Sequence, residues 1–317
     1  MAPQIISYCC GTYPNVGGVP RYDTQLKLVF PNRVFFEGPK EKDKMLAYLK
    51  TCSRPIVITD NHLSLDIPNE YLVFIVNHGP ALTYAERDPN WDPYWRDLCC
   101  NGQKIMLNYR NPDTTRLIQI STFCIDESKR WYPERIDLFK NILLPHSCEL
   151  DRTVAKTAFG DVPIILGNWG SSRKGSTIIP SLEKYMQEYK FSNLSVYPKK
   201  RGETLSSFNK RKQEIYLQSD MYLQLSVCEG YSYSATDALL CGLVVVATDT
   251  GLFYKDVPED CFVKLDWTKI DDQEYIKEKI QYGWINREII SKKGREWFLK
   301  YHSFTDWQQK MEQIILE

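Results

Sequence analysis

The sequence predicts an α/β protein made of two successive parallel-sheet domains, and three observations carry that expectation. The first is the stretch from Met221 to Thr248. Met221 to Val227 is a short apolar and β-branched run that reads as a buried strand, and Leu243 to Thr248 reads as another. Between them lie a loop bearing Glu229 and a helix of about two to three turns. Strand, loop, helix, strand is a parallel unit whose loop faces the carboxyl end of the sheet, where such sheets bind ligands. The second observation is the same alternation at lower contrast in the first half of the chain. The third is a break in composition at Arg152 to Asp161, after which the alternation restarts.

In order, Gln4 to Cys10 reads as the first strand and Gly11 to Val19 as a loop. Pro20 then falls where a helix begins, its fixed φ suiting the first turn. The pair Gly17-Gly18 just before that helix lets a ligand approach the backbone and meet exposed N–H groups, although taken alone a tight left-handed turn with no ligand is the slightly favoured reading. Arg33 to Glu37, Pro55 to Thr59 and Tyr71 to Val76 are further strands, and Lys40 to Thr51 is a charged amphipathic helix. His78 stands at the carboxyl tip of the Tyr71–Val76 strand, placed either to face a cleft or to be satisfied structurally.

From Thr83 to Cys100 aromatic residues, Tyr84, Trp91 and Trp95 among them, interleave with charged ones. Flat aromatic faces beside polar side chains suit sugar rings, and aromatic packing beneath a long loop is the commoner explanation. Arg116 to Cys124 and Lys140 to Leu144 are strand candidates, and Arg152 to Asp161 is the linker. Val162 to Leu166 is a strand, followed by the small-residue loop Gly167 to Ser172 and a helix from Arg173-Lys174-Gly175 to about Tyr189. Leu194 to Tyr197 reads as a strand, Leu205 to Gln218 as a helix and Cys261 to Leu265 as the last strand. Asp271 to Gln281, Arg287 to Lys300 and Thr305 to Leu316 read as terminal helices.

Composition excludes several classes. The 317 residues, 43% of them hydrophobic, are enough for two cores. Formal net charge is zero, which argues against a nucleic-acid partner held by a basic surface. No apolar run of about eighteen residues predicts a membrane span, and no basic-then-apolar leader is visible. Lys199-Lys200-Arg201 and Lys210-Arg211-Lys212 are solvated surface or a peripheral membrane contact. Ten cysteines without a C-x-x-C spacing, and four scattered histidines, predict reduced, mostly buried thiols in a cytoplasmic protein and no metal site.

Arg173-Lys174-Gly175 followed by Glu229 and, eight positions on, Asp237 resembles a retaining GT-B glycosyltransferase of family four, the glycosyl transferases group 1. The likeness covers nearly the whole chain. Asn15 to Tyr22 is similar to the family's glycine-rich loop, Gly167 to Gly175 to its phosphate-binding segment, and Phe304 to Trp307 to the start of its last helix. The resemblance implies two Rossmann-like domains with parallel sheets facing a central cleft: residues 1–155 for the acceptor, 156–300 for the donor, and a 301–317 helix packing back on the first. It implies a nucleoside-diphosphate sugar (UDP or GDP) as donor, a glycan or lipid-linked acceptor, and neither cofactor nor metal. Glu229, His78 and Lys174 are then the catalytic residues. Gly17, Gly18, Asn168, Arg173, Lys174, Gly230, Tyr231, Ser232, Tyr233 and Asp237 bind the donor, and Tyr84, Trp91 and Trp95 meet the acceptor. The chain departs from the pattern in three places. Asn168 stands for an arginine, Asp237 for a glutamate about 1.5 Å longer, and Ser232 for a glycine. A sugar-nucleotide epimerase and a non-catalytic binding module are the alternatives.

Overall fold

A computed structural model describes residues 3–11, 17–196 and 199–317. Its contacts divide the chain into two compact units. The first is Met1–Glu86, Trp91–His146 and Thr305–Glu317, and the second is Arg87–Asn90 with Ser147–Phe304.

The first unit carries strands β1 (Gln4–Cys9), β2 (Val34–Glu37), β3 (Pro55–Asp60), β4 (Leu72–Asn77), β5 (Thr115–Gln119) and β6 (Lys140–Leu143). All pair in parallel, in the order β2-β1-β3-β4-β5-β6. Helices α1 (Gly18–Val29), α2 (Lys42–Leu49), α3 (Ala81–Arg87), α4 (Pro93–Tyr109), α5 (Thr122–Trp131) and α6 (Pro133–Ile136) connect the strands. Ile6, Tyr8, Val57, Val73, Ile75 and Leu117 of the sheet pack with Met45, Leu49, Met106 and Leu107 of the helices into one core.

The second unit carries β7 (Ile164–Gly167), β8 (Lys190–Asn193), β9 (Met221–Gln224), β10 (Val244–Thr248) and β11 (Val263–Leu265), parallel in the order β11-β10-β9-β7-β8. Around them lie α7 (Ile179–Tyr185), α8 (Leu205–Leu217), α9 (Tyr233–Cys241), α10 (Gln273–Ile285) and α11 (Arg287–Tyr301). Ile165, Leu223, Val244, Val246 and Leu265 meet Leu182, Ile276, Ile280 and Ile290 in its core. Helix α12 (Phe304–Leu316) buries Trp307, Met311 and Ile315, spaced by four on one face, within the first unit.

The helix starts are set locally. Side chains of Asp92, Ser121, Thr204 and Asp272 each accept the backbone N–H three residues on, capping α4, α5, α8 and α10. Those caps explain two departures from the sequence expectation. The Arg116–Cys124 strand stops at Gln119 because Ser121 opens a helix, and the aromatic stretch from Thr83 is two helices rather than a long loop, with Asp92-Pro93 starting the second.

Two more departures lie in the second unit. The strand expected at Leu194–Tyr197 lies four residues earlier, at β8. Asn193 ends it by accepting from the N–H groups of Trp169 and Ser195, and Leu194–Val196 turns as a 3-10 helix. Tyr197 falls outside the described residues. The helix expected from Arg173 begins only at Ile179. Ser172–Lys174 is a single 3-10 turn, closed by Gly175 at φ +90°.

In each sheet the order of connection reverses once, between β1 and β3 in the first unit and between β7 and β9 in the second. The carboxyl ends flanking such a reversal form the crevice where open parallel sheets bind ligands.

Candidate active site

In the second unit the tips of β7 and β9 hold the acidic loop against the expected phosphate loop. The backbone N–H of Val227 donates to the Arg173 carbonyl at 3.1 Å. Gly175 permits this approach, because a Cβ there would lie 2.7 Å from the Cβ of Leu225. Lys174 Nζ consequently sits 3.5 Å from Glu229 Oε1, with 29% and 16% of the two side chains exposed. Both are sheltered yet reachable. Ser226 anchors Glu229 by donating its hydroxyl to the same oxygen at 2.8 Å. At 3.5 Å the lysine exceeds the 2.7–2.9 Å of a charged hydrogen bond, so it neutralises the carboxylate without being locked to it. Within the same unit Arg87 Nη1 donates to the Val227 carbonyl at 3.1 Å.

Helix α9 starts from a left-handed residue, Ser232 at φ +81°, ψ +58°. Its hydroxyl is buried with no hydrogen-bond partner. Asn168, past the end of β7, donates its side-chain amide to Ser234 Oγ in the first turn of α9 at 3.3 Å. Tyr231 is buried, its ring 5.0 Å from that of Tyr233, and its hydroxyl lies 3.3 Å from His302 Nδ1.

Asp237 lies deeper, at 1% exposure. Lys212 Nζ of α8 sits 2.9 Å from Oδ2, and the Cys148 thiol donates to Oδ1 at 2.9 Å. A buried carboxylate needs such partners. Asp220, at the start of β9, follows the same rule with Lys156 at 3.0 Å.

In the first unit, His78 follows β4 and places Nε2 2.8 Å from Asp60 Oδ1 at the tip of β3. The other Asp60 oxygen accepts from the Cys10 backbone at 3.0 Å. The Tyr22 ring stands edge-on to His78 at 5.4 Å and is 4.8 Å from His146 and 5.8 Å from Trp307. Asp23 of α1 is fully buried beside Asp60 and Cys9. Burial first, and the Asp60 charge second, push its carboxyl up to about 9. Burial likewise pushes the Cys9 thiol well up, with the Asp23 and Asp60 charges adding to it.

Gly17 caps α1 at φ +135°, a conformation that favours glycine, and Gly18 opens the helix. Asn15 and Val16 of the glycine loop lie outside the described residues. Tyr84 packs on the tip of β4, where a Cβ on Gly79 would be 2.7 Å from its ring, and its ring centre is 5.9 Å from that of Trp91. Trp95, on α4, is 55% exposed and lies against Tyr94.

No protein-family model matches the sequence, and no curated protein matches it. Solved structures do. Sucrose-phosphate synthase from Thermosynechococcus elongatus aligns over 99% of this chain and 98% of its own, with TM-score 0.69 and 14% identity. WaaG, a glycosyltransferase involved in lipopolysaccharide biosynthesis, aligns over 98% and 99% with TM-score 0.65 and 13% identity. Anabaena HepE in complex with UDP and glucose gives 98%, 99%, 0.65 and 10%. The chain has the GT-B fold.

On this GT-B scaffold the expected residues separate into groups. Lys174, Glu229 and Gly230 are brought together at the β7 and β9 tips, with Arg173 in the same turn as Lys174. Asn168, Ser232 and Tyr233 gather at the start of α9. Asp237 is joined to Lys212 and Cys148, which sequence reasoning did not single out. Ser226, Asp23, Asp60 and His146 were also missed. Ser226 had one available signal, a hydroxyl three positions before the acid. The others come together only through sheet order.

Proposed function

We propose that the chain is a retaining glycosyltransferase. It moves a sugar from a nucleoside-diphosphate sugar to a hydroxyl of a glycan or lipid-linked acceptor, with no metal on the diphosphate. The observation that carries this reading is the partly buried Lys174–Glu229 pair, 3.5 Å apart at the reversal of a parallel sheet. It offers a cation for a phosphate and an acceptor for sugar hydroxyls side by side.

In the reaction the bond from the anomeric carbon to the phosphate oxygen breaks while a bond to the acceptor oxygen forms on the same face. The leaving phosphate takes the acceptor proton. Charge grows on the diphosphate, and Lys174, Arg173 and the α9 N-terminus near Ser232 and Tyr233 stabilise it. Gly17 and Gly18 let the α1 N-terminus do the same. Glu229 orders the sugar hydroxyls, and His78, oriented by Asp60, lies near the reacting sugar. Asp237 meets the ribose while keeping Lys212, since a carboxylate has about four acceptor sites. Tyr84, Trp91 and Trp95 are the acceptor platform.

UDP is the first nucleotide to test, because HepE was solved with UDP and glucose and the pneumococcal GtfA with UDP and GlcNAc. Among the described residues no helix is long and apolar enough to cross a membrane. All ten cysteines are free, which supports a reducing, cytoplasmic setting.

Screening nucleotide sugars with and without acceptors tests the reaction. Acceptor-independent interconversion would mark an epimerase, and binding without turnover a non-catalytic module. Glu229→Gln keeps nucleoside diphosphate affinity but lowers turnover by roughly two orders of magnitude or more, as loss of a transition-state contact requires. Turnover within a few-fold of wild type removes Glu229 from the site. Turnover is also indifferent to added magnesium or manganese, and dependence on either would overturn the charge argument.

A further inference from the structure

Among the described residues, one set of three metal-ligating side chains comes together: Cys9, Asp23 and Asp60, all buried, with one ligand atom each and all three atoms within 4.8 Å of one another. They come from the tip of β1, the second turn of α1 and the tip of β3. That is the sheet reversal of the first unit. Two carboxylates and a thiol share this buried space, and among the described residues no lysine pairs with either acid in it. Arg33 gives its Nε to Ser7 and its Nη2 to the backbone carbonyl of Asp23 rather than to the carboxylate. Asp60 is satisfied by Cys10 and His78. Asp23 is not. It is 0% exposed, and neither of its carboxylate oxygens has a partner in full hydrogen-bond geometry, the Cys9 thiol and the Gly11 backbone N–H being the donors beside it.

A fully buried carboxylate with neither oxygen in a full hydrogen bond, aimed at a second carboxylate and a thiol, calls for a cation among them. We propose that Cys9, Asp23 and Asp60 form a binding site for one zinc-type divalent ion. The donor chemistry selects the metal class. A thiolate beside two carboxylates suits zinc and disfavours magnesium and calcium, which take oxygen alone. A tetrahedral ion with sulfur at about 2.3 Å and oxygen at about 2.1 Å needs donors about 3.6 Å apart. Donors already within 4.8 Å reach that by closing about 1 Å. Three protein ligands leave one position for water. His78 sits behind Asp60 as its hydrogen-bond partner, so the ion orients the histidine through a carboxylate that both share. None of the three ligands is a residue assigned to the diphosphate, although Asp23 lies one turn along α1 from Gly17 and Gly18, and the site's existence does not depend on the proposed transfer reaction.

The test uses the full chain, stripped with a strong chelator and titrated with zinc alone against a coloured competitor. Bound metal is counted by elemental analysis. One equivalent binds, and Asp23→Asn and Cys9→Ser each weaken it by roughly tenfold or more. Replacing the adjacent pair Cys99 and Cys100 by serine leaves affinity unchanged. Cobalt in place of zinc gives a near-ultraviolet thiolate-to-metal band that Cys9→Ser abolishes. Asp23→Asn is isosteric, and circular dichroism checks its fold, so it decides the matter even if Cys9→Ser fails to fold. No tightly held equivalent in the wild-type chain overturns the proposal. So does zinc affinity that is indifferent to Asp23→Asn, or affinity that follows Cys99 and Cys100.

Discussion

The two sheet reversals solve the same electrostatic problem in different ways. In the second unit three sheltered carboxylates at or near the sheet have a lysine from a neighbouring element: Glu229 with Lys174, Asp237 with Lys212, Asp220 with Lys156. In the first unit Asp23 and Asp60 lie together with a thiol, and the partner of Asp60 is a histidine. The second unit therefore carries balanced charge, with the Lys174–Glu229 pair open enough to exchange partners with an anionic ligand. The first unit carries excess negative potential, which a proton or a cation must relieve. On the two proposals, one sheet architecture would serve an anion site and a cation site according to which side chains stand at the strand tips.

The sharpest way to break this comparison is to remove a lysine from a deep pair. Lys212→Met leaves the Asp237 carboxylate buried without its counter-ion and lowers the unfolding free energy by about 3–5 kcal/mol. Pairing it with Asp237→Asn recovers most of that loss. Urea denaturation of the two variants reads both numbers. A loss under about 1 kcal/mol for Lys212→Met would show that the pair is not what compensates Asp237.

The phosphate loop comes next. Asn168 is neutral and already donates to Ser234, so Arg173 and Lys174 are the cations of that loop. They occupy one 3-10 turn, in which successive side chains diverge by about 120°, and Lys174 is the one beside Glu229. Arg173→Ala weakens nucleoside diphosphate binding by about 1.5–3 kcal/mol, the range of a charged hydrogen bond. Adding Asn168→Arg restores part of it. Isothermal titration settles the point, and wild-type affinity in Arg173→Ala would leave Lys174 acting alone.

A smaller effect is expected at Ser232. A left-handed residue other than glycine costs about 1–2 kcal/mol, and glycine gives back about half in chain entropy. The Ser232 hydroxyl makes no compensating bond. Ser232→Gly should therefore raise stability by about 0.5–1 kcal/mol in thermal unfolding, and a decrease would show that the hydroxyl matters. The smallest effect belongs to the first unit. In metal-free protein Asp23→Asn changes stability by less than about 0.5 kcal/mol, because a neutral amide can replace a neutral acid at nearly no cost. A loss of the Lys212→Met size there would erase the contrast between the two units.

Local sequence was enough for the elements whose signal is local. The β9–α9–β10 unit was legible from an apolar run, an acid in a loop and a glycine stop, and Gly242 does close α9 at φ +80°. Leu205–Leu217 and the last three helices also lie within a few residues of their expected bounds. Errors gathered where one polar side chain redirected the backbone. Ser121 turned a predicted strand into a helix, Asn193 ended β8 early, and Gly175 delayed α7 by several residues. Helix or strand period cannot register such single-residue events.

By itself, then, the sequence determined the α/β class and the two-fold alternation, because these rest on periodicity, while the pairing of the acidic loop with a basic turn 55 residues earlier was carried by the family resemblance. The tertiary structure alone decided which charges meet. Lys212 lies 25 residues before Asp237, and Cys148 lies 89 before it. Cys9, Asp23 and Asp60 share one space because β1 and β3 are neighbours in the sheet. Strand order is a global outcome of packing, and no local pattern encodes which strand tips will stand side by side.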